Sequence, residues 1–586
     1  MLQECIEIFK EQMEKDAKEG KDTILDEYIP ADGDYIIVKK DGTVKSCSIK
    51  YDKKTKLPGD GITKGDASYK EICFDDYHSR LVSMDKPQDP KKVVHSNNYM
   101  SFWVKYDSFD NGKLNIEAID RYFDVLINPR DKYKNADRKM YDFIYQQIGD
   151  VDVQQLERNR KWIKENIFQL DKLGLNLQKK KYLKIFFEDD KDTYIKEENR
   201  YVMTKIYNKN DYNIEINDNM YGLPNDNLGL NSKKPYLEHK TRKLPVPNLI
   251  DVQQVLLQRK FFDFLANNAN AGYTNIFFDD ISKQITACPN GEFVKGDFSG
   301  YFLQIQKGKS VLIKYQDIIV DYKYNLQKKF RLKKILSSGP DTIKDIYGDF
   351  YKNYTNKNMI LDVLDEVLFF KCLKRNLFND VEDIMVDNSL VKRNIIMSRD
   401  IIFAWAYKGQ KNSICNVIKK VCLDMIKSSI NEGYMGKAVL QFNMMISFDE
   451  YFGGEDMENK YTKIRSDIRT KINSSDYHIC ESDDEYLYAV GQLIRYFVSL
   501  SKAKDKSHSL ANPFLNCTDN NMLVRKLEHY FEKYNYNFSQ GNKRANKLYT
   551  LVSNYEYNQK IDKTMVIAGY ISDNLVYEAN SDKEEK

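Results

Sequence analysis

The feature that most limits how this chain can fold is the spacing of apolar residues near its C-terminus, where Leu487, Val490, Ile494, Phe497 and Val498 recur at intervals that fit one helical face. The spacing returns in Leu523, Leu527, Tyr530, Phe531 and Tyr534, and again in Met565, Ala568, Ile571 and Leu575. Four or five helices are therefore predicted, at 458–472, 484–500, 519–534, 541–556 and 562–577. Each carries a stripe that neighbours must cover, so a compact bundle over 457–586 is expected. Its second helix runs into a lysine-rich loop over 501–508, with Lys502, Lys504 and Lys506, and Pro513 then closes the turn.

The N-terminal part reads differently. Residues 1–18 have helical spacing, and Tyr35-Ile36-Ile37-Val38, an Asp41-Gly42 turn and a return through Val44, Cys47 and Ile49 predict a β-hairpin. Helices are expected at 114–128, 136–148 and 152–173, and strands at 181–187, 200–207 and 300–306. From Thr342 onward the pattern changes to nearly continuous helix, as in Ile360, Leu361, Leu364, Val367, Leu368 and Cys372, until Gly453-Gly454 interrupts it. The expected fold is α+β, with a mixed N-terminal region (1–340), a helical connecting region (341–456) and the C-terminal bundle (457–586).

A chain of 586 residues with 42% hydrophobics can fill several cores, but its net charge of only +4 means that any affinity for nucleic acid must come from local clusters. The nine cysteines are scattered with no zinc-type CxxC pair, so reduced thiols and no bound metal or cofactor are expected. No stretch of about 18 apolar residues occurs, and the N-terminus lacks a signal-type apolar segment, so a cytoplasmic protein without membrane contact is expected.

Catalytic patterns fail one by one. There are six histidines and no His-Asp dipeptide; His78 and His95 are read as structural or surface residues, and Arg525 with His529 as an accident of an amphipathic helix. Gly308-Lys309-Ser310 ends like a phosphate-binding loop, but Leu303 stands where the first glycine is needed. Gly453-Gly454-Glu455-Asp456 and Phe277-Phe278-Asp279-Asp280 resemble the acidic turns of palm-type polymerases and cyclases, although the first is followed by residues in helical register. No enzymatic activity is expected.

Basic clusters are better represented. Lys328-Lys329-Phe330-Arg331-Leu332-Lys333-Lys334 has five cations in seven residues, which fits either a grip on a phosphate backbone or a solvated helix face with Phe330 and Leu332 buried. Lys179-Lys180-Lys181 is read as a solvated face. The long Gly, Pro and Asn-rich stretch 221–243 can turn tightly and approach a ligand. In it, Asn225, Asn227 and Asn231 can address base edges while Lys233, Lys234, Lys240 and Arg242 hold phosphates. Asn97 and Asn98, beside Lys91 and Lys92, form a second candidate reader, and Lys543 and Arg544 add a further candidate phosphate contact.

Several separated stretches resemble the large, Cas-eight-type subunit of the type I-B CRISPR surveillance complex, Cascade. They are Tyr486-Leu487-Tyr488-Ala489-Val490-Gly491-Gln492 with its following helices, Asp76-Tyr77-His78-Ser79-Arg80, Asp89-Pro90-Lys91-Lys92, His95-Ser96-Asn97-Asn98-Tyr99, the loop 222–243, and Phe298-Ser299-Gly300-Tyr301-Phe302. The resemblance implies a non-catalytic protein that contacts the 5′ end of the guide RNA, recognises the short motif beside the target in duplex DNA, and stabilises the displaced strand. It further implies contact with the other Cascade subunits and recruitment of the helicase-nuclease. It also implies that the C-terminal bundle resembles the small subunit of related complexes. Paired zinc-type cysteines of some relatives have no counterpart here. Met457 is an expected internal start site for a separate small subunit, since Gly453-Gly454-Glu455 can be encoded by a purine-rich ribosome-binding sequence just upstream. The competing readings are a palm-domain polymerase or cyclase subunit of a type III complex, and a helical scaffold with no nucleic-acid role.

Overall fold

The computed structural model describes residues 1–52, 58–59, 62–224, 249–308, 310–337, 347–455, 457–501, 508–538 and 542–578. The fold is α+β, with mixed sheets in the N-terminal half and mostly helices in the C-terminal half. The chain forms two compact units, one of Met1–Pro289 with Gly300–Ile318, the other of Asn290–Ser299 with Ile319–Lys586. No helix among the described residues is long and apolar enough to cross a membrane.

The first unit is built on a four-stranded sheet of β1 (Gly33–Val38), β2 (Val44–Ile49), β3 (Ser101–Lys105) and β4 (Tyr182–Phe187), in the order β2-β1-β4-β3. The expected hairpin forms: Val38 faces Val44, and Gly42 takes the left-handed conformation (φ 83°) that the turn requires. β1 lies parallel to β4, with Gly33 opposite Tyr182, and every residue of β1 is buried. That explains its unbroken apolar run, because a strand covered on both faces has no polar alternation. Tyr35, Ile36, Phe102, Phe123, Leu156, Leu183 and Phe186 belong to one core.

The helices of this unit include Leu2–Lys18, Ala67–Ser79, Ile116–Ile127, Asn135–Ile148, Val153–Asn166 and Lys191–Val202. Several begin where a side chain caps the first turn: Asn115 accepts from Ala118 N, and Asp152 from Gln155 N. The helix expected over 152–173 ends at Asn166 and gives way to a short 3-10 turn, Leu170–Leu173. The strand expected at 200–207 is absent. Its apolar start completes the helix Lys191–Val202, whose buried residues Tyr194, Glu197, Glu198 and Tyr201 recur at helical spacing.

In the second unit the five C-terminal helices stand close to their expected places, at Glu458–Asn473, Asp483–Ser499, Asn520–Tyr534, Lys543–Ser553 and Lys563–Ile571. They share the unit with the helices Ser389–Lys408, Ile414–Asn431 and Met435–Tyr451, and Phe442 of the last packs edge-on to Tyr461. Asp483–Ser499 and Lys563–Ile571 meet backbone to backbone. A Cβ on Gly491 would strike the carbonyl oxygen of Val566, and one on Gly569 that of Tyr488. Buried Gln492 locks the pair, donating to Gly569 O at 2.6 Å and accepting from Leu575 N at 2.8 Å. The run after 342 is not helical throughout, because Asn353–Asn356 forms a strand against Asn325–Arg331.

Candidate nucleic-acid interface

The segment 328–334 settles into neither a helix nor an even row of cations. Asn325–Arg331 is a strand whose pairing is irregular between Asn325 and Phe330: Phe330, and Leu332 just beyond the strand, are buried while Lys328, Lys329, Arg331 and Lys334 are exposed. The helix-face reading is corrected on this point, although the burial of its two apolar residues holds. Phe330 stacks on Phe448 at 4.4 Å between ring centres and meets Tyr451 edge-on at 5.5 Å, which anchors the strand in the helical core. Lys333 turns inward, 2.9 Å from Glu450 and 3.6 Å from Glu458. It is therefore a structural ion pair rather than an outward-facing phosphate contact. The exposed cations Lys328, Lys329 and Arg331 stand on a two-stranded ribbon anchored through Phe330.

The loop carrying Asn225, Asn227, Asn231, Lys233, Lys234, Lys240 and Arg242 lies outside the described residues, as does the 502–507 segment with Lys502, Lys504 and Lys506. The root of the first loop is well defined. Gly222 pairs with Ile250 and Tyr221 with Asp251, so residues on either side of the loop are hydrogen-bonded neighbours. The buried Tyr207 hydroxyl donates to Met220 O (3.0 Å) and Ile250 O (3.1 Å), and Asn208 N donates to Leu223 O (2.8 Å).

Asn97 and Asn98 are not placed to read bases, because both are interior, at 1% and 2% exposure. Asn97 donates to Arg80 O (2.8 Å) and His78 O (3.2 Å), while Asn98 donates to His78 O and accepts from Met100 N at 2.9 Å. These amides replace missing main-chain partners where a helix ends against the sheet. Lys91 and Lys92 are exposed on the turn held by buried Asp89, which accepts from Val93 N and pairs with Arg121 at 2.9 Å. Lys543 is exposed at its helix start, whereas half-buried Arg544 donates to Asn473 Oδ1 at 2.6 Å. Met457 precedes the helix Glu458–Asn473, and its N–H donates to Glu450 Oε1 at 2.9 Å.

Elsewhere, acidic and basic groups are paired with one another. His78 Nδ1 sits 2.5 Å from Glu198, which Arg259 also holds at 2.9 Å. Burial pushes the Glu198 carboxyl up, but Arg259 and His78 outweigh it and hold the group at about 2. Buried Lys184 pairs with buried Asp76, and its ammonium lies 3.8 Å from the Trp103 ring centre. Phe277-Phe278-Asp279-Asp280 does reach a hairpin turn, between strands Tyr273–Asp279 and Ile285–Pro289. Its carboxylates serve the turn, however: Asp279 accepts from Ile281 N and Ser282 N, and Asp280 pairs with Lys283 at 2.8 Å. Among the described residues no three His, Cys, Asp or Glu side chains cluster in a way that could hold a metal ion.

Sequence reasoning misses one charged site. A cavity of about 600 Å³ in the first unit is lined by Lys86, Lys132, Lys134, Lys205 and Lys209, drawn from three separate segments. No run of basic residues announces it, because the fold alone assembles the cluster. No family model matches the chain, and no curated protein or solved structure matches it.

Proposed function

We propose that this chain is the non-catalytic large subunit of a type I-B CRISPR Cascade complex. In this reading it binds the 5′ end of the guide RNA and the target DNA in the cytoplasm, and recognises the adjacent motif. It also steadies the displaced strand and presents a surface to the helicase-nuclease. The observation that carries a nucleic-acid role is the ribbon Asn325–Arg331, whose Lys328, Lys329 and Arg331 are exposed while Phe330 fixes the strand from behind. Closely spaced cations on an anchored strand hold phosphates and release counterions without selecting a sequence. Such a grip suits a protein whose guide does the sequence reading. The family assignment is supported by the resembling stretches distributed from Asp76 to Phe514.

Motif reading is assigned to Asn225, Asn227 and Asn231, with Lys233, Lys234, Lys240 and Arg242 on phosphates, because the loop bearing them springs from the pinned stem at Gly222 and Ile250. The test is DNA binding by the complex reconstituted with guide RNA, on targets with permuted adjacent motifs. Asn225→Ala with Asn227→Ala should relax discrimination by about 1–3 kcal/mol for each base no longer read. Unchanged motif preference would place the reader elsewhere, and no guide-dependent binding would favour the scaffold reading. Nucleotide turnover abolished by Glu455→Ala or Asp456→Ala would instead favour the palm-type enzyme. Internal initiation at Met457 belongs to the same proposal: a C-terminal tag should reveal a short product that disappears when Gly453 and Gly454 are recoded without changing the protein.

A further inference from the structure

The lysine-lined cavity of the first unit is built from the turn at Asp85-Lys86-Pro87, the start of the helix Asn135–Ile148 with the preceding Lys132 and Lys134, and the segment 204–211. Five lysines face it against three carboxylates, Asp85, Asp137 and Asp211. Two of those carboxylates are already engaged: Asp211 pairs with Lys209 at 3.0 Å, and Asp137 accepts from Asn210 Nδ2 at 2.7 Å.

Lys86 Nζ donates to Lys205 O at 3.1 Å, a neutral acceptor, and the side chain is half-buried. An ammonium carries three hydrogens, so one such bond leaves it able to donate further. Lys132 Nζ is held more fully, by Pro87 O (2.7 Å), Gln88 O (3.0 Å) and Gln88 Oε1 (2.8 Å), so it contributes charge from behind rather than donors. Lys205 lies with its ammonium 4.7 Å from the Tyr133 ring centre. Burial, reinforced by the charge of Lys205, pushes Lys86 down to about 8 despite Asp85 and Asp137, and Lys132 down to about 7 despite Asp89. Like charges kept together in a half-buried cavity repel one another unless an anion joins them. The helix start at Asn135 and Ala136 adds the positive end of its dipole to the same wall.

We propose that this cavity binds the phosphate group of a nucleotide-sized ligand, with Lys86 and Lys205 donating to the phosphate oxygens and Lys132 supplying charge behind them. The size fits, since small-molecule sites span about 300–1,000 Å³. A second cavity of about 500 Å³, sharing Asn135, Ala136, Asn210 and Asp211 and adding Met140 and Met220, extends the space beyond a lone phosphate. Tyr207 and Asn208, which line the first cavity, also hydrogen-bond Met220, Ile250 and Leu223, on either side of segment 225–248. The ligand is either a free nucleotide or the terminal phosphate of a nucleic-acid strand. The proposal does not rest on the Cascade reading, and either can fail without the other.

The test is calorimetric titration of the full chain at pH 8 with ADP, inorganic phosphate, and a tetranucleotide carrying either a 5′-phosphate or a 5′-hydroxyl. Saturable binding of ADP identifies a free nucleotide, and binding of only the phosphorylated tetranucleotide identifies a strand end; inorganic phosphate should compete in either case. Lys86→Gln with Lys205→Gln should weaken binding at least about tenfold, as expected for charge-assisted hydrogen bonds, while Lys86→Arg retains it. Binding should also take up protons, read from buffers of different ionisation heat, because the bound anion raises lysines that titrate near pH 8. If the double variant fails to fold, proton uptake by the wild-type chain decides the matter. No saturable binding, equal binding of both tetranucleotides, binding indifferent to the double substitution in a folded variant, or binding without proton uptake would each overturn the proposal.

Discussion

The two units place their buried charge differently. In the first, ion pairs join segments far apart in the chain: Lys184 of β4 meets Asp76 of the helix Ala67–Ser79, and Glu198 gathers His78 and Arg259. In the second, the buried pair Lys471–Glu485 joins adjacent helices at 2.8 Å, and the tightest approach is made by glycines, Gly491 and Gly569. The buried Lys184–Asp76 and Glu198 clusters thus tie distant segments of the first unit, whereas Lys471–Glu485 ties neighbouring helices beside the close approach of Gly491 and Gly569. The less buried Lys333–Glu450 pair is the second unit's long-range counterpart. The first arrangement concentrates polar groups inside, and the basic cavity is part of that pattern.

This contrast can be broken by experiment. The largest effect is expected from Lys184→Met, which removes the cation paired with buried Asp76 and leaves the Tyr28 hydroxyl donating to that carboxylate at 2.6 Å. Urea unfolding should show destabilisation by about 3–5 kcal/mol, the usual cost of stranding a buried charge. Hydrogen exchange should assign the change to the first unit, and destabilisation below about 1 kcal/mol would show that the pair is not a keystone. Gly569→Ala should cost less, about 1–3 kcal/mol from overpacking, with exchange rising in the helices Asp483–Ser499 and Lys563–Ile571. Unaltered protection there would contradict the backbone approach.

A pH experiment sharpens the same comparison. Burial, with Glu71 beside it, raises the Asp75 carboxyl to about 8. A raised folded-state value stabilises the protonated form, so its contribution is fully present below the unfolded value near 4 and declines as pH rises toward 8. Asp75→Asn should therefore add stability at pH 8, by at least about 1 kcal/mol, and nothing near pH 4. A gain independent of pH would show that the group is ionised throughout.

What is legible in the sequence follows from the same physics. The C-terminal helices can be read because their stripes and caps are local: Ser482 accepts from Glu485 N and Asp519 from Met522 N, each within a few residues. The 200–207 segment misleads because its run of apolar residues fits a buried strand as well as the end of an amphipathic helix, and only the packing of Tyr194, Glu198 and Tyr201 distinguishes them. Asn97 and Asn98 resemble readers because an exposed and a buried asparagine are identical in sequence. Lys86, Lys132 and Lys205 carry no signal at all, since more than forty positions separate the first two.

The smallest effect on stability, and the most direct test of the proposed role, comes from replacing Lys328, Lys329 and Arg331 together by Ala. These side chains are exposed, so the fold should tolerate the change. Duplex and single-stranded DNA binding should be measured across a range of salt concentrations, for the wild type and the triple variant. Salt-dependent binding is predicted for the wild type, and in the variant a logarithmic salt slope shallower by about 0.9 for each duplex phosphate no longer neutralised, without a change in sequence preference. Failure of the wild-type chain to bind, or an identical slope in the folded variant, would contradict the assignment of this ribbon as a phosphate grip.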